Sequence, residues 1–315
     1  MARALRIDFP GACHHVTTRA IRGRNLFPSP ADHGAFLERL AEAHERRSLV
    51  LHGYCLLPGH LHLEVQTPQG ELGRAMQWVL QSHAAYVNRR HGRMGHLFQG
   101  RYTSVLVDAE KHLPELTRHI HLNPVRAGLA ARPADFEWSS YRSYVGLAGC
   151  PPWLELRMTL GRFGETPEEQ VRRYRQFVEV EAAPDPLRGV AQGAILGSPQ
   201  FVERVARGLS DPTDGARLLR MAERPPVEAV FEAVARHYGV EVAALRRKGA
   251  HHNEPRDLAI YLARHHWAIP LAAIGEYVGG LGASAVSLAD RRTTERLPHD
   301  SALRKRVAAL TRTGV

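Results

Sequence analysis

The chain has 315 residues, 44% of them hydrophobic, enough for two domains with cores of their own. Its 42 Lys and Arg against 32 Asp and Glu leave a net charge of +10 and a pI near 10.0, a balance that suits a polyanionic partner, nucleic acid above all. No apolar run has the length of a membrane span or the form of a secretory leader, and three cysteines (Cys13, Cys55, Cys150) without paired spacing argue against a disulfide framework or a structural zinc site, so a reducing, cytoplasmic setting is expected.

The positive charge is uneven. Residues 1–150 carry 18 basic and 12 acidic side chains, 151–220 carry 10 of each, and 221–315 carry 14 and 10, so the excess lies at the two ends. An arginine-rich composition without a partner would give a similar total, and charge alone does not separate the two readings.

In chain order, CHHVTTRA (13–20) has the composition of a strand and is followed by the basic turn IRGRN. A helix is predicted over 31–47, where Phe36, Leu37, Leu40 and Ala43 form a face. LVLHGYCLL (49–57) and HLHLEVQ (60–66) are strands joined at Pro58-Gly59, which makes an antiparallel hairpin. A helix over 71–90, a strand over 96–108 and a helix from Ala109 to about Leu122, stopped by Pro124, complete a mixed α and β region. Residues 150–225 read as irregular and helical. Beyond Pro225-Pro226, short helices joined by glycine-containing turns read as a helix-turn-helix module.

Nineteen histidines give, by chance, on the order of one His-x-His triplet. There are two, His60–His62 and His119–His121, and context separates them. On a strand, residues i and i+2 share a face, so His60 and His62 can ligate one ion. On a helix they diverge by roughly 200°, so His119 and His121 cannot easily do so. Two histidines at an exposed strand start is the bland alternative. Imidazole alone does not name the metal; a divalent ion completed by oxygen ligands would polarise a phosphate. Asn123 offers such an oxygen if its helix lies against the hairpin.

The blocks HHVTTRA (14–20), YCLLPGHLHLEV (54–65), NRRHGRMGHLFQGRY (88–102), IHLNPVRAGL (120–129) and WSSYRSY (138–144) resemble the REP-associated tyrosine transposases, members of the single-tyrosine HUH transposases. The resemblance implies an α+β fold, a ferredoxin-like or RRM-like antiparallel sheet with flanking helices, over residues 1–148. It also implies a homodimer, Mg2+ or Mn2+ at the histidine pair, and cleavage of single-stranded DNA near hairpins through a 5′-phosphotyrosine link. Carried over by position, His60 and His62 fall on the metal histidines and Asn123 on the third ligand, four residues beyond the nucleophile. Arg101 and Tyr102 fall in the FQGRY block and Arg126 in NPVRA, as DNA contacts, with ordinary solvated charge the alternative for the arginines.

At the nucleophile's position this chain has His119. A tyrosine gives a phosphodiester that is stable yet reversible, as strand transfer requires. A histidine forms a more labile phosphoramidate, better suited to hydrolysis than to rejoining. Tyr86 and Tyr102 lack the i−4 relation to Asn123. Transposition chemistry is therefore expected to be impaired.

Residues 234–292 are similar to the DNA-binding domain of the replication initiator DnaA. The resemblance makes 225–315 an all-α module for duplex DNA after a helical linker region, 149–224. Ser284 and Ser287 would face the groove, and Arg246, Arg247, Lys248, Arg291 and Arg292 would meet phosphates. Gly282 and Ala283 stand where that domain has an acidic residue and a histidine, so its box specificity does not carry over. Three functions compete: a metal-dependent single-strand endonuclease using His119 or an activated water, a domesticated non-catalytic binder of repetitive palindromic DNA, and a phosphohydrolase of small nucleotides. Only the histidine pair supports the last.

Overall fold

In the computed structural model, residues 7–180, 185–189, 194–209, 215, 225–247, 253–267 and 269–312 are described. The chain divides into two compact units, Met1–Phe201 and Val202–Val315.

The first unit is built on strands β1 (Ala12–Arg19), β2 (Val50–Leu56), β3 (His60–Thr67) and β4 (Thr103–Val107), with helices α1 (Pro30–Glu45) after β1 and α2 (Leu72–Arg90) after β3. The strand order β2-β3-β1-β4 with antiparallel neighbours is the ferredoxin-like arrangement. A two-residue strand β5 (Ile195–Leu196) adds to β4 in parallel and makes the sheet mixed. So short a segment carries no periodicity from which sequence could have placed it.

Alternation assigns each strand two faces. Val16, Leu61, Leu63 and Val65 pack with Phe36, Leu40, Met76 and Val79 of α1 and α2. The opposite residues, Cys13, Cys55, Val105 and Val107, pack with Leu116 and Ile120 of helix α3 (Ala109–His121). Pro114 inside α3 has no N–H for the carbonyl of Glu110. The Arg162 guanidinium donates to that oxygen instead, and to Ala109 O at 3.0 Å. The strand expected over 96–108 is shorter. Leu97–Gln99 instead wraps the end of β1, through Ile21 N–H to Leu97 O (3.0 Å) and Gln99 N–H to Arg19 O (2.9 Å). Helix α3 ends at His121, ahead of Pro124 as expected, and Pro124 sits in the first turn of a second short helix, Asn123–Arg126.

Helix α4 (Pro167–Glu179) supplies Tyr174 to a cluster with Tyr141 and Tyr144. The second unit is all-α among the described residues. Helices α5 (Val227–Tyr238), α6 (Glu254–Tyr261), α7 (Leu271–Tyr277), α8 (Ala283–Arg296) and α9 (Ser301–Arg312) surround a core that includes Phe231, Leu258, Ile274 and Val286. A Cβ on Gly275 would lie 2.2 Å from Leu281 O, so the α7–α8 turn closes only around a glycine.

Candidate functional site: a histidine cluster on the sheet

Strand register brings the site together. In the β1–β3 ladder His60 lies opposite Arg19, His62 opposite Thr17, and Glu64 opposite His15. Directly opposed residues share a face. This is the face α3 covers, and α3 delivers His119 from its last turn. The ring centroids of His60 and His62 are 5.2 Å apart, those of His15 and His62 5.2 Å, and His119 lies 6.0 Å from both His15 and His62. His15, His62 and His119 are buried, while His60 is half-buried and forms the open side. His121 leaves the cluster: its ring is held by Ser140 Oγ at 2.8 Å and the Tyr174 hydroxyl at 2.7 Å.

Burial keeps these imidazoles neutral. It pushes His15 down to about 3, with nearby His119 adding to the effect. His62 is held well below the usual histidine range by burial and then by His15 and His60. His60 is lowered by burial and by Arg19. Burial takes His119 down to about 4, against the attraction of Asp185 and with the repulsion of Arg126. The Nδ1 atom of His119 lies 2.7 Å from Arg126 Nη1 and 3.0 Å from Asp185 Oδ1. Guanidinium only donates and carboxylate only accepts, so one tautomer serves each contact. With the proton on Nδ1 and Asp185 accepting it, Nε2 keeps a lone pair. Asp185 is a neighbour that sequence spacing gave no means of finding.

Other candidates fall in three places. Asn123 is half-buried and its Nδ2 donates to His119 O at 2.8 Å, turning part of the amide back onto the last turn of α3. Arg101 is exposed and lines a hollow of about 260 Å³ with Thr17, Arg19, Gln99 and Thr103, next to the rungs that carry His60 and His62. Tyr102 is buried in the core on the α1–α2 side.

Among the described residues no three His, Cys, Asp or Glu side chains are placed to hold a metal ion by themselves. Two imidazoles, His60 and His62, lie side by side here, and the Asn123 amide turns toward His119 O. Imidazole nitrogens alone do not select one divalent ion.

One carboxylate lies behind the cluster. Glu64 is fully buried, and Thr117 Oγ1 donates to its Oε2 at 2.7 Å. A Cβ on Gly53 would come within 3.1 Å of that oxygen, so the glycine makes room for it. Burial pushes the Glu64 carboxyl up to about 8.

In the second unit, α8 turns Val286, Ala289, Asp290 and Thr293 inward and leaves Ser284 and Leu288 exposed, with Ser287 between the two. Arg292 forms a two-pronged pair with the Asp257 carboxylate (2.7 and 2.8 Å), whereas Arg291 is exposed and touches Glu295 at 2.7 Å. Arg246 donates to Tyr277 O at 3.0 Å and lies over that ring. Arg247 is exposed, and Lys248 lies outside the described residues.

A family model described as the bacterial dnaA protein helix-turn-helix matches residues 227–292. This segment is similar to the helix-turn-helix of bacterial DnaA. The chain is 30% identical over 125 residues to the chromosomal replication initiator DnaA of Herpetosiphon aurantiacus, covering 39% of this chain and 26% of that protein. It is 30% identical over 125 residues to DnaA of Chloroflexus aurantiacus (39% and 25%), and 31% over 114 residues to DnaA of Chloroflexus aggregans (36% and 23%). The chain thus spans about a quarter of the curated relatives it matches. A solved REP-associated tyrosine transposase bound to a REP hairpin is similar over 49% of this chain and 92% of its own, with a TM-score of 0.41 and 16% identity.

Proposed function

We propose that this chain is a DNA-binding protein with two modules. The first unit takes structured single-stranded DNA on a single-tyrosine HUH scaffold, and the DnaA-type helix-turn-helix takes duplex DNA. The observation that carries the reading is the meeting of His60 and His62 with His119, one helical turn before Asn123, on one face of a ferredoxin-like sheet. Strand register, which sets His60 and His62 side by side and His62 near His119, supports the placement the sequence resemblance implies.

His60 and His62 would hold a Mg2+ or Mn2+ ion, with Asn123 close by. When bound, the ion would polarise a phosphate oxygen and lower the cost of charge developing at phosphorus. His62 presents Nε2 while His15 occupies its Nδ1. Arg101 and Arg19 would position the backbone beside the pair. His119 stands where strand transfer needs a tyrosine, so rejoining is impaired and binding is the retained activity.

The His119–Asp185 contact supports a second reading. A neutral imidazole with Asp185 on Nδ1 can accept a proton at Nε2, which suits activation of a water and hydrolytic nicking. The binding reading is tested by titrating a labelled DNA hairpin with the full chain between 50 and 200 mM salt. Affinity should fall linearly in log–log form. Absent or salt-independent binding contradicts it.

A further inference from the structure

Met94 is 86% exposed, the most exposed large hydrophobic side chain among the described residues. It stands at the tip of the Gly92–Gly95 turn after α2, and that turn is firmly held. Arg24 Nη2 donates to Met94 O at 2.9 Å, Asn88 Nδ2 to Gly95 O at 2.8 Å, and Arg93 N–H to Asn88 O at 2.8 Å. A single exposed apolar side chain is common on a protein surface; here it is fixed in place on a braced turn beside a groove. Its flanks are cationic: Arg89, Arg90 and Arg93 are all exposed.

Beside the tip runs a groove of about 810 Å³. Gly95, His96 and Gln99 lie along one side, Gln77, Gln81 and Ala84 of α2 along the other. Its floor is apolar, from Leu80 and Leu97, and three glutamine amides stand at its edge. Gln99 and Arg101 line this groove and also the hollow beside His60 and His62. Wedge, groove and histidine cluster therefore follow one another along the surface of the first unit.

We propose that Met94 is a wedge that enters a base step where duplex meets single strand, and that the groove takes the base it unstacks. The proposal rests on the DNA-binding reading above. Apolar side chains inserted between base steps unstack them, and flanking arginines hold the backbone on either side. An apolar floor receives the flat face of an unstacked base, while amides hydrogen-bond its edge.

The experiment uses the full chain and DNA hairpins with a single-stranded 5′ extension, carrying 2-aminopurine in turn at each junction position. Affinity is measured by anisotropy and unstacking by 2-aminopurine emission. For the natural chain, binding raises emission several-fold at one junction position. Met94→Ala keeps affinity within about tenfold but loses that rise, whereas Met94→Leu retains it. The proposal is overturned if the natural chain binds without any rise in emission, or if Met94→Ala gives the full rise. A natural chain that binds no hairpin overturns the DNA-binding reading and the wedge together, an outcome distinct from binding without unstacking.

Discussion

The Nε2 atom of His15 lies 3.0 Å from Nδ1 of His62, and the two rings are stacked. One proton occupies that contact. If His62 donates from Nδ1, its Nε2 carries the lone pair a metal needs; if His15 donates, it does not. In the metal site proposed above, His15 would hold His62 in the tautomer whose Nε2 can bind an ion. His15→Phe should weaken Mn2+ binding about 10- to 100-fold, the range typical of lost outer partners, while leaving the circular dichroism spectrum in place. Titration by calorimetry or Mn2+ spin resonance reads this, and unchanged affinity refutes the role.

His83 gives the first unit a pH signature away from the cluster. It is fully buried among Phe27 and Phe36, with Nε2 on Leu26 O at 3.0 Å, and burial takes it down to about 4. A histidine neutral in the fold but protonated when unfolded favours unfolding as pH drops. Its stability contribution is complete above the ordinary value of 6.5 and is lost as pH falls toward 4. Melting temperature should fall more steeply between pH 7 and pH 4 in the natural chain than in His83→Phe. Parallel curves would rule out this assignment.

Two adjacent arginines on α8 should behave differently. Arg292→Ala leaves the Asp257 carboxylate, 9% exposed, without its two-pronged partner, and should cost roughly 1–3 kcal/mol of stability. Arg291→Ala should leave the melting curve unchanged but reduce the salt slope of duplex binding by about 1. Urea melts and salt titrations of the two variants separate structural from phosphate-facing charge. Identical behaviour of both contradicts the assignment.

Much of this was legible in the chain's own residues. Strand-like composition marked β1 to β3, Pro58-Gly59 marked the hairpin, and the helical face of 31–47 marked α1 to within two residues at each end. Strand context alone put His60 and His62 on one face. What sequence does not carry is register between distant strands and neighbours brought in from loops. His15 enters the cluster because it opposes Glu64, and Asp185 because the chain returns past α3 long after leaving it. Arg292 reads as a phosphate contact by its place in α8 and yet is tied to Asp257, since an inward carboxylate on another helix leaves no local trace. The shortened β4 has a similar cause: Leu97–Gln99 hydrogen-bonds the end of β1 and leaves the alternation behind.

The most direct test of the central claim, an intact DNA-binding HUH scaffold whose nucleophile is missing, is a gel assay on labelled single-stranded hairpin DNA with Mn2+. It compares the natural chain with His119→Tyr. The account predicts that both bind, that only His119→Tyr forms a denaturant-resistant covalent complex, and that adding His60→Ala abolishes it. A covalent complex with the natural chain, or none with His119→Tyr despite binding and bound Mn2+, would contradict it.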